Sequence, residues 1–210
     1  MQVNSAADGR GMVRVGVVMM LSPRGGAYVD RDVKAWLERA GATVVLIPPA
    51  ASPSEAAAYF ESVHGLFLHP GWGDSPAYTA LIRALITMAV AANRAGDHFP
   101  IWGTCQGMQR LIQYFGGTLE PLDSLDRTDA EWYFHHEYGI TLRRFLRTAS
   151  LRKAFRVLAT AHDRDGKEYV SLIEGIGLPF YGIQAHPEKP PVKDWMATFF
   201  VNEMRHLRHS

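Results

Sequence analysis

The 210-residue chain reads as an α/β protein with three layers, a mostly parallel central sheet covered by helices on both faces. Two observations predict this class. Short apolar runs rich in β-branched residues alternate with amphipathic helical patterns through the first half of the chain. The connections between them are short, which sets successive strands parallel. A third observation modifies it: two later runs flank a polar turn and predict an antiparallel hairpin.

The length suits one full hydrophobic core. A polar, flexible N-terminal segment is expected over 1–11 and a single domain over 12–210. Val13 to Met20 reads as the first buried strand. A helix follows with Val29, Val33, Trp36 and Leu37 on one face and Gly41 just past its end. Thr43 to Ile47 is a strand stopped by Pro48 and Pro49. Ser52, Pro53 and Glu55 supply an N-cap, a first-turn proline and a capping-box acid for the next helix. Gly65 to His69 is a strand, Pro76 to Arg94 a long helix, Phe99 to Gly103 a strand, and about Gln106 to Phe115 a helix. Arg156 to Thr160 and Tyr169 to Ile173 form the hairpin around Asp163–Lys167. Phe180 to Ala185 is the last strand and Val192 to His206 the closing helix.

Composition removes several function classes. Apolar residues make up 47% and charged residues 20%, as in an ordinary globule. Lys and Arg number 22 against 21 acids, so no net field recruits nucleic acid or an anionic membrane. The single cysteine cannot close an internal disulfide, which suits a reducing compartment. No signal-peptide pattern or bilayer-length apolar run is visible. A cytoplasmic setting is favoured on that basis, with a vacuolar, lysosomal or secreted one open if a leader has been removed.

The chemistry gathers in two places. Gly103-Thr-Cys105-Gln-Gly107 sits where a strand turns into a helix, the setting of a nucleophile elbow. Flanking glycines relieve clashes there. The helix start favours a thiolate and offers N–H groups, notably that of Gln106, to an oxyanion. The alternative is a buried cysteine acting as a small hydrophobe. A nucleophilic thiol needs a base. Of the nine histidines, His186 follows a strand end, where ligands of α/β folds bind. Glu188 lies close enough to orient its ring, and Pro187 stiffens the link. The alternative is a solvated turn.

Pro100 to Met108 together with Tyr181 to Lys189 resembles the γ-glutamyl hydrolase family, the folate polyglutamate hydrolases. That family lies within the class I glutamine amidotransferase-like group, whose fold is flavodoxin-like. Tyr28 to Val45, Gly65 to Gly71, Asp165 to Gly175 and Trp195 extend the similarity over nearly the whole chain. The resemblance implies a Cys105–His186–Glu188 triad and an oxyanion hole from Gln106 and the Gly71-Trp72-Gly73 loop. It implies a small-molecule γ-glutamyl substrate such as a folate polyglutamate, cleaved as by an omega peptidase. It implies neither metal nor other cofactor, and leaves a homodimer open. A further site histidine corresponds to His136 or, one residue away, to His135.

Three positions depart from the family. Gln109 stands where the family often has a glutamate, as in glutamine amidotransferases, and exchanges a carboxylate for an amide beside the substrate. Trp72 separates glycines that are paired in the family. Ala185 replaces a tryptophan and removes an aromatic wall. Gln109 favours a rival with the same chemistry, a glutaminase subunit or a hydrolase of small γ-glutamyl amines. A catalytically weak γ-glutamyl-binding protein and a redox-sensing cysteine are rivals of other classes.

Overall fold

The computed structural model describes residues 12–22, 25–71, 75–128 and 131–205, with backbone alone over 125–128. The expected N-terminal segment 1–11 lies outside the described residues. In chain order the elements are β1 (Val13–Val18), β2 (Met20–Leu21), β3 (Ala27–Tyr28), α1 (Arg31–Arg39), β4 (Ala42–Ile47), α2 (Pro53–Ser62) and β5 (Gly65–Leu68). There follow α3 (Pro76–Arg94), β6 (Ile101–Thr104), α4 (Gln106–Tyr114), β7 (Glu120–Thr128) and β8 (Tyr133–Gly139). The last are α5 (Leu142–Arg147), α6 (Ala149–Ala154), β9 (Phe155–His162), β10 (Glu168–Gly175), β11 (Phe180–Ile183) and α7 (Asp194–Glu203).

Seven strands form the central sheet in the order β4-β1-β5-β6-β11-β10-β9. The first five run parallel, and β10 turns antiparallel to β11 and to β9. The expected late hairpin is therefore the sheet's own antiparallel edge. One apolar cluster packs α2, α3, α4 and α6 against one face, and a second packs α1 and α7 against the other. These are the three layers the sequence predicts. Because both faces are covered, β5 and β6 are buried at every residue and read as continuous apolar runs.

Local chemistry sets the boundaries. Asp30 caps α1 by accepting from the Asp32 N–H at 2.8 Å. Ser52 and Glu55 form the predicted capping box, and Ser75 with Pro76 opens α3. The fourth strand begins at Ile101, two residues later than the sequence suggests. Pro100 has no N–H to give a ladder, and Phe99 is instead tied at both backbone groups to the Asn93 side chain. The closing helix is shorter than expected, spanning Asp194–Glu203, and His206 lies outside the described residues.

The pair β7–β8 is not among the strands the sequence predicts. It is a separate two-stranded antiparallel sheet with register shifts on either side of Ser124. It lies across the carboxyl ends of the parallel strands, where the His186 N–H donates to the Tyr133 carbonyl at 2.9 Å.

Candidate active site

Backbone strain marks the centre of the site. Cys105 has φ 50° and ψ −108°, and among the described residues it is the one non-glycine with positive φ. Its neighbours explain how the chain tolerates this. A Cβ on Gly103 would meet the Gly107 backbone at 2.5 Å, and one on Gly107 would meet the Leu68 carbonyl oxygen at 2.1 Å. The glycine frame thus lets α4 start directly against β5 and β6. The sulfur does not cap the helix. It faces a cavity of about 270 Å³, and the first-turn amides of α4 begin beside it.

His186 stands just beyond the end of β11, and its Nδ1 lies 2.8 Å from Glu188 Oε1. The carboxylate accepts, so the ring carries its proton at Nδ1 and turns Nε2 away from Glu188. Cys105, His186 and Glu188 are 6%, 9% and 2% exposed, so their charges are felt at low dielectric. Burial works against protonation of His186, yet the Cys105 sulfur and the Glu188 carboxylate outweigh it and raise the imidazole pKa well above its usual range. Nε2 has no aligned hydrogen-bond partner among the described residues. The sulfur also lies 3.6 Å from the His135 carbonyl, an acceptor within reach whenever Cys105 carries its proton.

The turn carrying His186 is tied to the opposite rim. Lys189 Nζ binds Asp30 at 2.9 Å and Asp32 at 2.7 Å. The Asp30 N–H donates to His69 Nε2 at 2.9 Å, and His69 Nδ1 donates to the Pro70 carbonyl. Burial lowers the His69 pKa and keeps the ring neutral, as its role as acceptor from Asp30 requires. Gly71, with φ 140°, follows and lines the cavity.

Of the other expected residues, Gln106, Gln109, His135 and His136 line the cavity. His136 is the buried member of the histidine pair, at 2% exposure, with Nδ1 on the Tyr138 carbonyl at 3.1 Å and its ring edge-on to Tyr169. Burial, with the nearby His186 and His135, lowers its pKa to about 4. His135 contributes its carbonyl to the sulfur. Trp72 and Gly73 lie outside the described residues. Ala185 lines a different hollow, of about 190 Å³, with Trp132, Phe134 and Met196. The wall its small side chain opens therefore belongs to that hollow.

Comparison with known proteins bears on this arrangement. The sequence profile of the family Peptidase C26 matches residues 18–138, more than half of the chain and inclusive of Cys105.

This chain belongs to the peptidase C26 family.

It is accordingly a hydrolase. The gamma-glutamyl hydrolase of Mus musculus is 30% identical to this peptidase C26 member, over 83% of this chain and 67% of its own. Gamma-glutamyl hydrolase B of Dictyostelium discoideum is 28% identical over 88% of this chain and 68% of its own. Among solved structures, that of a putative GMP synthase component from Thermoplasma acidophilum aligns over 92% of this chain and 94% of its own. Its TM-score is 0.56 at 14% identity, which shows a shared glutamine amidotransferase-like fold.

Three residues of this hydrolase escape a reading of the sequence alone. His69 is visible there only as part of a strand end, although its place between an apolar run and Pro70-Gly71 is a signal. Lys189 adjoins the His-Pro-Glu turn, but its partners lie far off in sequence. Gln184 is fully buried beside the sulfur, and no local pattern announces that.

Proposed function

We propose that the chain hydrolyses γ-glutamyl amide bonds through a thioester on Cys105, with His186 as proton carrier and Glu188 as its orienting partner. The observation that carries the reading is a strained cysteine at a helix start, open to a cavity that is also lined by His186, whose ring is hydrogen-bonded to the buried Glu188. The relatives' names supply the bond type.

The thiolate attacks the side-chain carbonyl carbon of a γ-glutamyl group. Negative charge moves to the carbonyl oxygen, which the amide of Gln106 and the loop at Gly71 are proposed to bind. As the C–N bond breaks, protonated His186 gives its Nε2 proton to the departing amine. The neutral ring then takes a proton from water, and the hydroxide formed attacks the thioester. The adduct expels the thiolate and frees the glutamyl product as its acid, which loses its proton to solvent, so thiolate and imidazolium are restored. Glu188 holds the ring in one tautomer throughout.

Folate polyglutamates are the first substrate class to test. A second reading is hydrolysis of small γ-glutamyl amines or of glutamine itself. Gln109 favours it, since an amide in place of a carboxylate on the wall of the cavity that Cys105 also lines changes which charge is welcome there. Product analysis separates the two. The purified chain is given a γ-linked diglutamate, a pteroyl polyglutamate, a γ-glutamyl alkylamine and free glutamine, beside a Cys105→Ala control. Glutamate release from the γ-linked substrates, absent in the control, is the expected result. Ammonia from glutamine alone would move the assignment to a glutaminase. Activity retained in Cys105→Ala would end the nucleophile reading.

A further inference from the structure

We propose that Gln184 is a further catalytic residue, whose side-chain amide N–H stabilises Cys105 as a thiolate, and that Gln109 sets the orientation of that amide. This rests on the reading of Cys105 as nucleophile.

Gln184 is fully buried, and its backbone N–H is held by the Ser171 carbonyl at 2.8 Å. Its Nε2 points at the Cys105 sulfur, 3.7 Å away. Its Oε1 accepts from Gln109 Nε2 at 3.5 Å and lies against Gly139, where a Cβ would stand 3.7 Å from it. The polarity of this pair is fixed from outside. Gln109 Nε2 also donates at 2.6 Å to the Tyr138 carbonyl, a group that can only accept. Gln109 therefore turns its nitrogen inward, Gln184 answers with its oxygen, and the remaining N–H of Gln184 is aimed at sulfur. On another side of the sulfur stands the His135 carbonyl, which accepts from the thiol and would repel a thiolate. The two groups sort the two protonation states. The carbonyl suits the thiol, and the amide suits the ionised form, where a buried charge gains most from a directed donor.

Cys105 is the one cysteine of the chain, so iodoacetamide alkylation of the full-length protein reads it alone. Alkylation rates are followed from about pH 5 to about pH 9, since only the thiolate reacts. The wild-type chain is expected to react at about pH 6 at least about tenfold faster than free cysteine. Gln184→Met keeps the volume and removes the donor. It should lose about tenfold or more at about pH 6 and little at about pH 9, where the thiolate forms unaided. Gln109→Glu leaves Gln184 in place. Its carboxylate would draw the Gln184 N–H toward itself and turn Oε1 to the sulfur, so the same loss is expected.

His186, Glu188, His135, His136 and His69 are untouched in both variants, and a merely structural role would leave the pH profile in place. A folded Gln184→Met protein with the wild-type profile would overturn the proposal. If that variant does not fold by circular dichroism, a wild-type profile in Gln109→Glu overturns it instead. A wild-type chain no more reactive at about pH 6 than free cysteine defeats the nucleophile reading itself, and this inference with it.

Discussion

The strand–helix junction under Cys105 and the β7–β8 hairpin that faces it enclose the same cavity but are built with different tolerances. At the junction, Gly103 and Gly107 have backbone atoms where any Cβ would sit, and Cys105, His186, Glu188 and Gln184 are all buried. In the hairpin, register shifts interrupt the ladder, Tyr138 is 47% exposed, and Glu137 is exposed at the cavity rim. A close-packed sheet end can hold a reacting group to a fraction of an ångström, whereas a bulged, half-solvated pair can change residues without disturbing it. Under the proposed mechanism the reacting groups belong to the junction, and we propose that the hairpin selects the substrate.

Substitutions in the two regions should differ in kind. Gly107→Ala drives a methyl group into the Leu68 carbonyl. It should destabilise the fold by about 3 kcal/mol or more, the upper range of overpacking, and remove activity, as read by thermal unfolding and by glutamate release. Glu188→Gln should keep the fold but lower kcat by about 10² to 10⁴, as removal of an orienting carboxylate does in hydrolytic triads. The same variant carries a pH signature. The carboxylate is one of the groups raising the His186 pKa, so its loss lowers that pKa. The alkaline limb of the kcat/KM profile, which follows the protonated ring, should move to lower pH.

On the hairpin, Glu137→Ala should alter KM severalfold between substrates of different charge while leaving kcat within about twofold, the pattern of lost uniform binding. A large fall in kcat there would break the division drawn above. The smallest effect is expected at Glu120, at the base of β7. Arg144 and then Thr141 hold its carboxyl down at about 2, through contacts of 2.8 Å and 2.5 Å. A depressed carboxylate pKa means stability that is present above the usual carboxylate range and is lost as pH falls toward about 2. Glu120→Gln should thus lower Tm slightly at neutral pH and not at all in strong acid. An equal loss at both would exclude the ion pair as its cause.

The same contrast explains which parts of the molecule are legible in the sequence alone. The junction is legible because its constraints are local: two glycines around a cysteine, a strand before and a helix after. The His-Pro-Glu turn is legible for the same reason, as are the capping box at Ser52 and the long helix from Pro76. The hairpin is not, because Leu122 and Leu125 lie three apart and bulges spoil the period of two that betrays a strand. Phe99 reads as strand because apolarity is visible in a sequence, while the absence of an N–H at Pro100 matters only once a ladder is drawn. Gln184 and His69 go unnoticed because burial of a polar side chain is a property of the assembled fold. The tie from Lys189 to Asp30 and Asp32 depends on no pattern in the intervening chain.

The claim on which the account turns is that Cys105 becomes covalently acylated during turnover. Rapid acid quenching of the chain with a γ-glutamyl anilide, followed by mass spectrometry of the peptide spanning Gly103 to Gly107, measures this directly. A glutamyl thioester on Cys105 that appears within the first turnover and decays as substrate is exhausted is the predicted result. Sustained product release with the Cys105 peptide unmodified at every quench time would contradict it.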